Sequence, residues 1–284
     1  MDSVRGAPPP TPARAEPRSA PAPTVVTTGP GARGGGGHLD DHQPHRLASR
    51  VAAALRTAAV RADAPAAELA DRLAGAAVEA LGARGASISA LVAPGMSVPV
   101  GVSDAVAARA EQLQFTAGEG PCWEAYRTGA VVVADLTDVP TSRRRWPAYA
   151  RAVQHDTGYQ RVVAVPVRLR SGLAVALNTY EDVHPGAAWW TEASQVAEAL
   201  GEVLDVASPP PAAGGAVWLD SSSTARRSTV WTAEAVLIDN APFLDHDRAL
   251  DALRTYSLIE GTTVDDAAAA LLEGRLTTRE VLGG

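Results

Sequence analysis

At 284 residues, 46% hydrophobic and 20% charged, the chain has the composition of one or two globular domains with real cores. A formal net charge of -7, with arginine as the only strongly basic residue type, excludes broad electrostatic attraction to nucleic acid, so any RNA or DNA contact must be local. No apolar run approaches the ~20 residues that cross a bilayer, and a single cysteine excludes an intramolecular disulfide or a cysteine-based metal site.

The first residues lack the charged start and continuous apolar run of a secretory signal, so the expected location is the cytoplasm. Residues 1–45, rich in Pro, Gly, Ala, Ser and Thr, cannot bury enough apolar surface to offset ordering and read as a disordered tail. His38, His42 and His45 have a spacing that suits metal on a helix, but Pro44 interrupts the run and no metal site is assigned. From 47 to 81, Leu, Val and Ala recur at helical spacing and predict two amphipathic helices. Residues 86–92 alternate as a half-buried strand, turn at Ala93-Pro94-Gly95 and return through Val98 and Val100.

A helix is predicted near 105–113, then a turn at Gly118-Glu119-Gly120-Pro121, a short helix, and a β-branched strand over 130–134. A further helix opens at Trp146 and runs through His155. Strands over 162–169 and 173–180 are joined by the tight Arg170-Ser171-Gly172 turn. Thr191 is placed to cap a last helix that buries Val196, Leu200 and Val203. Helices bracketing one antiparallel sheet make an α+β fold.

The Pro/Gly-rich stretch at 207–223 reads as a linker. Beyond it come three short amphipathic helices with stripes at Val230, Ala233, Val236 and Leu237, at Ala249, Leu250, Leu253 and Ser257, and at Val264, Ala267, Ala268, Leu271 and Leu272. Thr263 and Asp266 mark the start of the third helix and Gly274 its end. Helices this short are stable only when packed, which predicts a three-helix bundle.

The run from Gln114 to Tyr126 (QFTAGEGPCWEAY), together with Arg145-Trp146-Pro147-Ala148-Tyr149 and the strand from Arg161 to Val167, resembles the GAF domain of actinobacterial GAF-ANTAR regulators. The C-terminal helices resemble a divergent ANTAR domain through Arg227, Val230, Ala233 and Leu237, then Ala249-Leu250, Leu253-Arg254 and Tyr256-Ser257, then Thr263-Val264, Ala267 and Gly274-Arg275-Leu276. The resemblance implies a GAF sensor domain over 46–206 with a GAF-type antiparallel sheet, and an all-α, ANTAR-like module over 224–278 that binds RNA stem-loops in transcription antitermination. It implies RNA contacts by Arg227, Arg254 and Tyr256, with Arg226 and Arg275 as auxiliary phosphate contacts, and no role for DNA. A homodimer through helices near 47–60 and 190–205 is expected, because flanking helices of GAF domains commonly pair. Residues 221–284 hold six arginines against ten carboxylates, and Glu234, Ala235 and Asp239 depart from the ANTAR pattern. This acidic balance keeps open a second reading, in which the module has lost RNA recognition and acts through protein contacts or dimerisation.

Cys122 lies at a helix start, where the helix dipole favours thiolate, yet a small buried residue is the better reading. Tyr126, Trp146 and Tyr149 line a ligand pocket or serve as core aromatics. Arg143-Arg144-Arg145 reads as a solvated loop or an anion site. No catalytic or cofactor-binding motif has a supporting context, so the expectation is a regulator whose ligand the sequence does not identify, and no enzyme.

Overall fold

Alternation along the strands buries both faces of one antiparallel sheet. The computed structural model describes Thr57 and residues 68–93, 96–182, 185–207 and 222–283. The expected tail, its three histidines, the helix over 47–60 apart from Thr57, the tip of the first hairpin and most of the linker lie outside the described residues. The elements, in order, are α1 (Leu69–Leu81), β1 (Gly85–Ala93), β2 (Met96–Val102), α2 (Ala105–Ala117), α3 (Pro121–Thr128) and β3 (Val132–Asp135). There follow α4 (Val139–Arg145), α5 (Pro147–Thr157), β4 (Arg161–Arg168), β5 (Ala174–Glu181), α6 (Ala187–Val206), α7 (Ser222–Asn240), α8 (His246–Glu260), α9 (Val264–Leu272) and α10 (Thr278–Val281). The strand order is β2-β1-β5-β4-β3, with every pairing antiparallel.

One face of the sheet carries Ile88, Val98, Val100, Val163, Val165 and Leu177 against Leu73 and Ala77 of α1 and Val196 and Leu200 of α6. Gly101 lets α1 approach β2 closely, since a Cβ there would lie 2.3 Å from the Ala70 backbone. The other face carries Val162, Ala164 and Tyr180 against α2 and α5. A third core joins Val230, Ala233 and Leu237 of α7 to Leu250 and Leu253 of α8 and Val264, Ala268 and Leu271 of α9. It also includes Phe115, which belongs to α2. The sheet, its helices and the C-terminal helices fall in one compact unit spanning Gly37–Gly284. There α7 lies along β2, and Thr224 Oγ1 donates to the Pro99 carbonyl at 3.1 Å.

Two local expectations fail for identifiable reasons. The helix expected to open at Trp146 starts one residue later, because a residue before proline is pushed out of the helical region; Trp146 sits at φ -142°, ψ 74°. Before it stands the separate helix α4, capped by Asp138, so Arg143, Arg144 and Arg145 occupy a helical turn and not a loop. Thr191 does not cap α6, which begins four residues earlier after Gly186 and takes in Trp189 and Trp190. Among the described residues no helix is long and apolar enough to cross a membrane.

At the end of β5, Glu181 is 5% exposed and its Oε1 lacks a hydrogen-bond partner, while Arg161, opposite it in register, pairs with Asp135 at 3.0 Å. Burial raises the Glu181 pKa from 4.5 to about 7. Folded Glu181 therefore keeps its proton in a range where the unfolded chain loses it, and stability falls as pH rises from 4.5 to about 7. Glu181→Gln should flatten that part of the melting-temperature profile and raise the melting temperature above the window. An unchanged slope in the variant would locate the pH dependence elsewhere.

Candidate functional site

Helix α2 borders two interiors. Asp104 caps its start, accepting from Val106 N and Ala107 N at 2.8 and 3.0 Å. Its buried residues include Gln114, which faces the start of α3, and Glu111, which lies over the sheet. Ser87 of β1 and Asn178 of β5 are register partners beneath it. Glu111 Oε2 accepts from Ser87 Oγ at 3.2 Å and Asn178 Nδ2 at 3.4 Å, and Ser87 Oγ is 3.0 Å from the Tyr180 hydroxyl. Gln114 Oε1 accepts from Cys122 N at 3.3 Å. These groups are buried, yet Glu111 Oε1, Asn178 Oδ1 and Ser89 Oγ have no hydrogen-bond partner. An enclosed cluster of polar side chains, the polar chamber of this fold, thus sits inside the sheet domain with acceptor capacity to spare. Burial raises the Glu111 carboxyl pKa. Burial, followed by the charge of Glu111, pushes up the Cys122 thiol and the Tyr149 hydroxyl.

The turn after α2 secures the chamber. Gly120 has φ 139°, and a Cβ on it would lie 2.7 Å from Gln114 Oε1. Glu119 Oε1 accepts from Ala148 N and Tyr149 N at 2.7 and 3.1 Å, capping α5 from across the turn. Of the ligand-contact candidates (Cys122 together with the aromatics Tyr126, Trp146 and Tyr149), Cys122 and Tyr149 are buried and feel the charge of Glu111. Trp146 is buried in the neighbouring core, with the Arg145 guanidinium 4.2 Å from its ring centroid. Tyr126 is 40% exposed and stands apart from them. The helix start does not activate Cys122, because desolvation of a fully buried thiolate outweighs the dipole.

One turn beyond Glu111 on the same stripe, Phe115 leaves the sheet domain and enters the C-terminal core. The Arg227 guanidinium lies 3.2 Å from its ring centroid, and that of Arg254 5.1 Å. Arg254 Nε donates to the Phe115 carbonyl at 3.1 Å, and Thr116 Oγ1 accepts from Val264 N at 3.0 Å. Arg109 of α2 faces Asp266 of α9 at 3.6 Å. Arg227 is 1% exposed and reaches Asp265 at 3.5 Å, while its Nε and Nη2 have no partner.

The five residues nominated for RNA therefore do not form one face. Arg227 is enclosed, contrary to the exposure an RNA contact needs, because Phe115 and Asp265 cover its guanidinium. The Arg254 side chain is only 14% exposed. Tyr256 and Arg275 line one open groove of about 390 Å³, which also carries Glu260 and Asp266, and Arg275 is paired with Glu273 at 2.7 Å. Arg226 is exposed on the far side, beside β2 and α2.

Sequence reading missed Glu111, Ser87, Asn178 and Phe115. Serines alternating with Ile88 and Ala90 resemble a solvent face; the signal that distinguishes them is the predicted helix on each side of the sheet, which leaves no face for water. Phe115→Ala removes an apolar side chain and the platform for two guanidinium groups, so it should cost about 3–5 kcal/mol in denaturant unfolding. A loss below about 1 kcal/mol would mean that the C-terminal core closes without the ring.

Residues 63–188 match the family model described as "GAF domain". No curated protein matches the chain. Among solved structures, it is similar to the A. aeolicus nlh2 GAF domain in an inactive state, at 9% identity and TM-score 0.42, covering 58% of this chain and 99% of that one. It is also similar to the GAF domain of an Acinetobacter phosphoenolpyruvate-protein phosphotransferase, at 14% identity and TM-score 0.42, covering 62% and 99%. A third similar structure is the phycoerythrobilin-bound GAF domain of a cyanobacterial phytochrome, at 12% identity and TM-score 0.36, covering 57% and 96%. The chain thus carries a GAF domain over residues 63–188, with the chamber beneath α2 inside it.

Proposed function

We propose that this protein is a cytoplasmic, signal-responsive regulator of transcription antitermination, in which the GAF sensor domain controls an ANTAR-like, RNA-binding module in the C-terminal helices. The observation that supports it is the position of α2. The same helix that floors the buried polar chamber also holds, through Phe115, two of the arginines nominated for RNA. A ligand of the sensor domain that favours one placement of α2 biases whether those arginines stay on Phe115, since coupling needs only differential affinity for two arrangements. In the closed arrangement Arg254 and Arg227 are withheld, while Tyr256 and Arg275 remain at the groove. RNA engagement then adds guanidinium contacts to a stacking tyrosine.

A second reading has its own support in the enclosure of Arg227 and the carboxylates of the groove. In it the helices dock a protein partner or a second copy and do not bind RNA.

The deciding experiment measures binding of the full chain to an RNA with two adjacent small hairpins, at several salt concentrations, against an unstructured RNA of equal length. Preferential, salt-sensitive binding is expected, weakened about tenfold by Arg254→Ala with Tyr256→Ala. Equal affinity for both RNAs, or an undiminished affinity in the double variant, would reject the RNA contacts assigned here.

A further inference from the structure

Helix α4 ends in three consecutive arginines, Arg143, Arg144 and Arg145, all exposed on the sensor domain. Arg145 is fixed in place: it pairs with Glu124 of α3, and its guanidinium lies 4.2 Å from the Trp146 ring centroid. One turn beyond Glu124 on α3 stands Arg127, also exposed, so the Arg145–Glu124 pair joins the two helices near their last turns. Ser142 turns inward and donates to the Asp135 carbonyl, which leaves Arg143 and Arg144 on the outer side of α4.

These arginines differ from most others in the molecule. Arg84 pairs with Asp182, Arg109 with Asp156 and Asp266, Arg161 with Asp135, Arg170 with Asp205 and Arg275 with Glu273. Among the described residues no carboxylate lies within ion-pair distance of Arg127, Arg143 or Arg144. The acidic groups around them are already engaged: Glu124 by Arg145, Asp138 by the start of α4, Asp135 by Arg161 and Glu119 by the start of α5. The helix dipole favours a cation at the end of α4, and Arg145 alone supplies it. Two further guanidinium groups there, with Arg127 on the neighbouring helix, form a basic surface that the fold does not use.

We propose that this surface holds the phosphate backbone of RNA, as a second contact on the sensor domain in addition to those of the C-terminal helices. Residues 221–284 carry ten carboxylates against six arginines, and Arg227 is enclosed, so the C-terminal helices lack the charge to hold a phosphate backbone by themselves. Free guanidinium groups supply that charge, and at physiological salt the net charge of -7 is screened beyond about 8 Å. The exposed ring of Tyr126, adjacent to Arg127, offers a face on which a base stacks, a feature that an acidic protein surface would leave unused. Gly118, against which the Arg254 guanidinium packs, is at most about 20 Å from Arg127 by the length of chain between them, so the two contacts are close enough for one folded RNA. The assignment rests on the reading that the chain binds RNA.

Arg143→Gln with Arg144→Gln in the full chain, titrated with the hairpin RNA and the unstructured RNA over a range of salt, tests it. Phosphate contacts carry no sequence information, so the variant should bind both RNAs about tenfold more weakly, with the ratio of the two affinities unchanged and the slope of log affinity against log salt reduced by about two. Arg143→Lys with Arg144→Lys keeps the charges and should restore most of that slope. Both variants should melt near the parent temperature, since neither arginine has an ion-pair partner to lose. An unchanged salt slope in the glutamine variant, or binding of neither RNA by the parent, would overturn the assignment. So would a salt-sensitive self-association that the glutamine variant loses while binding RNA as the parent does, which would give the surface to a second copy. The two sets of contacts fail separately: an unchanged slope here, with binding weakened in Arg254→Ala with Tyr256→Ala, sinks this surface alone, and the reverse pattern sinks the C-terminal contacts alone.

Discussion

The guanidinium of Arg227 over the ring of Phe115 is the contact on which the arrangement of this molecule turns. A charged group at 1% exposure has given up its hydration, and the return is incomplete: one long contact to Asp265, a ring face, and two nitrogens without acceptors. Such a group stabilises a fold only while its surroundings stay closed around it. Breaking the contact leaves either an uncompensated buried charge or an arginine returned to water. Separating the sensor domain from the helices would exchange this incompletely compensated buried charge for hydration, a trade that a purely apolar seam does not offer.

Helix α2 is fitted to carry this contact. Asp104 fixes its first turn, Gly118 ends it in the left-handed region, and Glu119 reaches beyond that end to cap α5. Between these fixtures the spacing of Glu111 and Phe115 puts a carboxylate over the sheet and an aromatic ring in the neighbouring core, four residues apart on one stripe. Both ends of α2 are thus held by packed side chains, Glu111 against the sheet and Phe115 in the C-terminal core.

Much of this architecture was legible in the chain. The hairpin between β4 and β5 follows from its Ser-Gly turn, α3 from Pro121 at its first turn, and the stripes of α7, α8 and α9 from their spacing; Val230, Ala233, Leu237, Leu253, Val264 and Ala268 are all at or near zero exposure. The start of α5 was misplaced because proline acts on the residue before it, an effect that hydrophobic periodicity does not register. The chamber was not legible, since a serine on a strand looks solvated until both faces of the sheet are known to be covered. Nor was the allegiance of Phe115: its partners lie more than a hundred residues away, and local patterns do not encode which core an aromatic at a helix end will join. The arginines were identified by type, but their enclosure is set by that same distant ring.

The two outer strands carry a consequence for how copies of this chain can meet. At one edge β2 contains Pro99, which offers no N–H, and the carbonyl of that proline is already taken by Thr224. At the other edge β3 is four residues long. Edges so short or so interrupted make poor templates for a further strand. The sheet is thus a terminated object, and self-association by main-chain pairing at either edge is disfavoured.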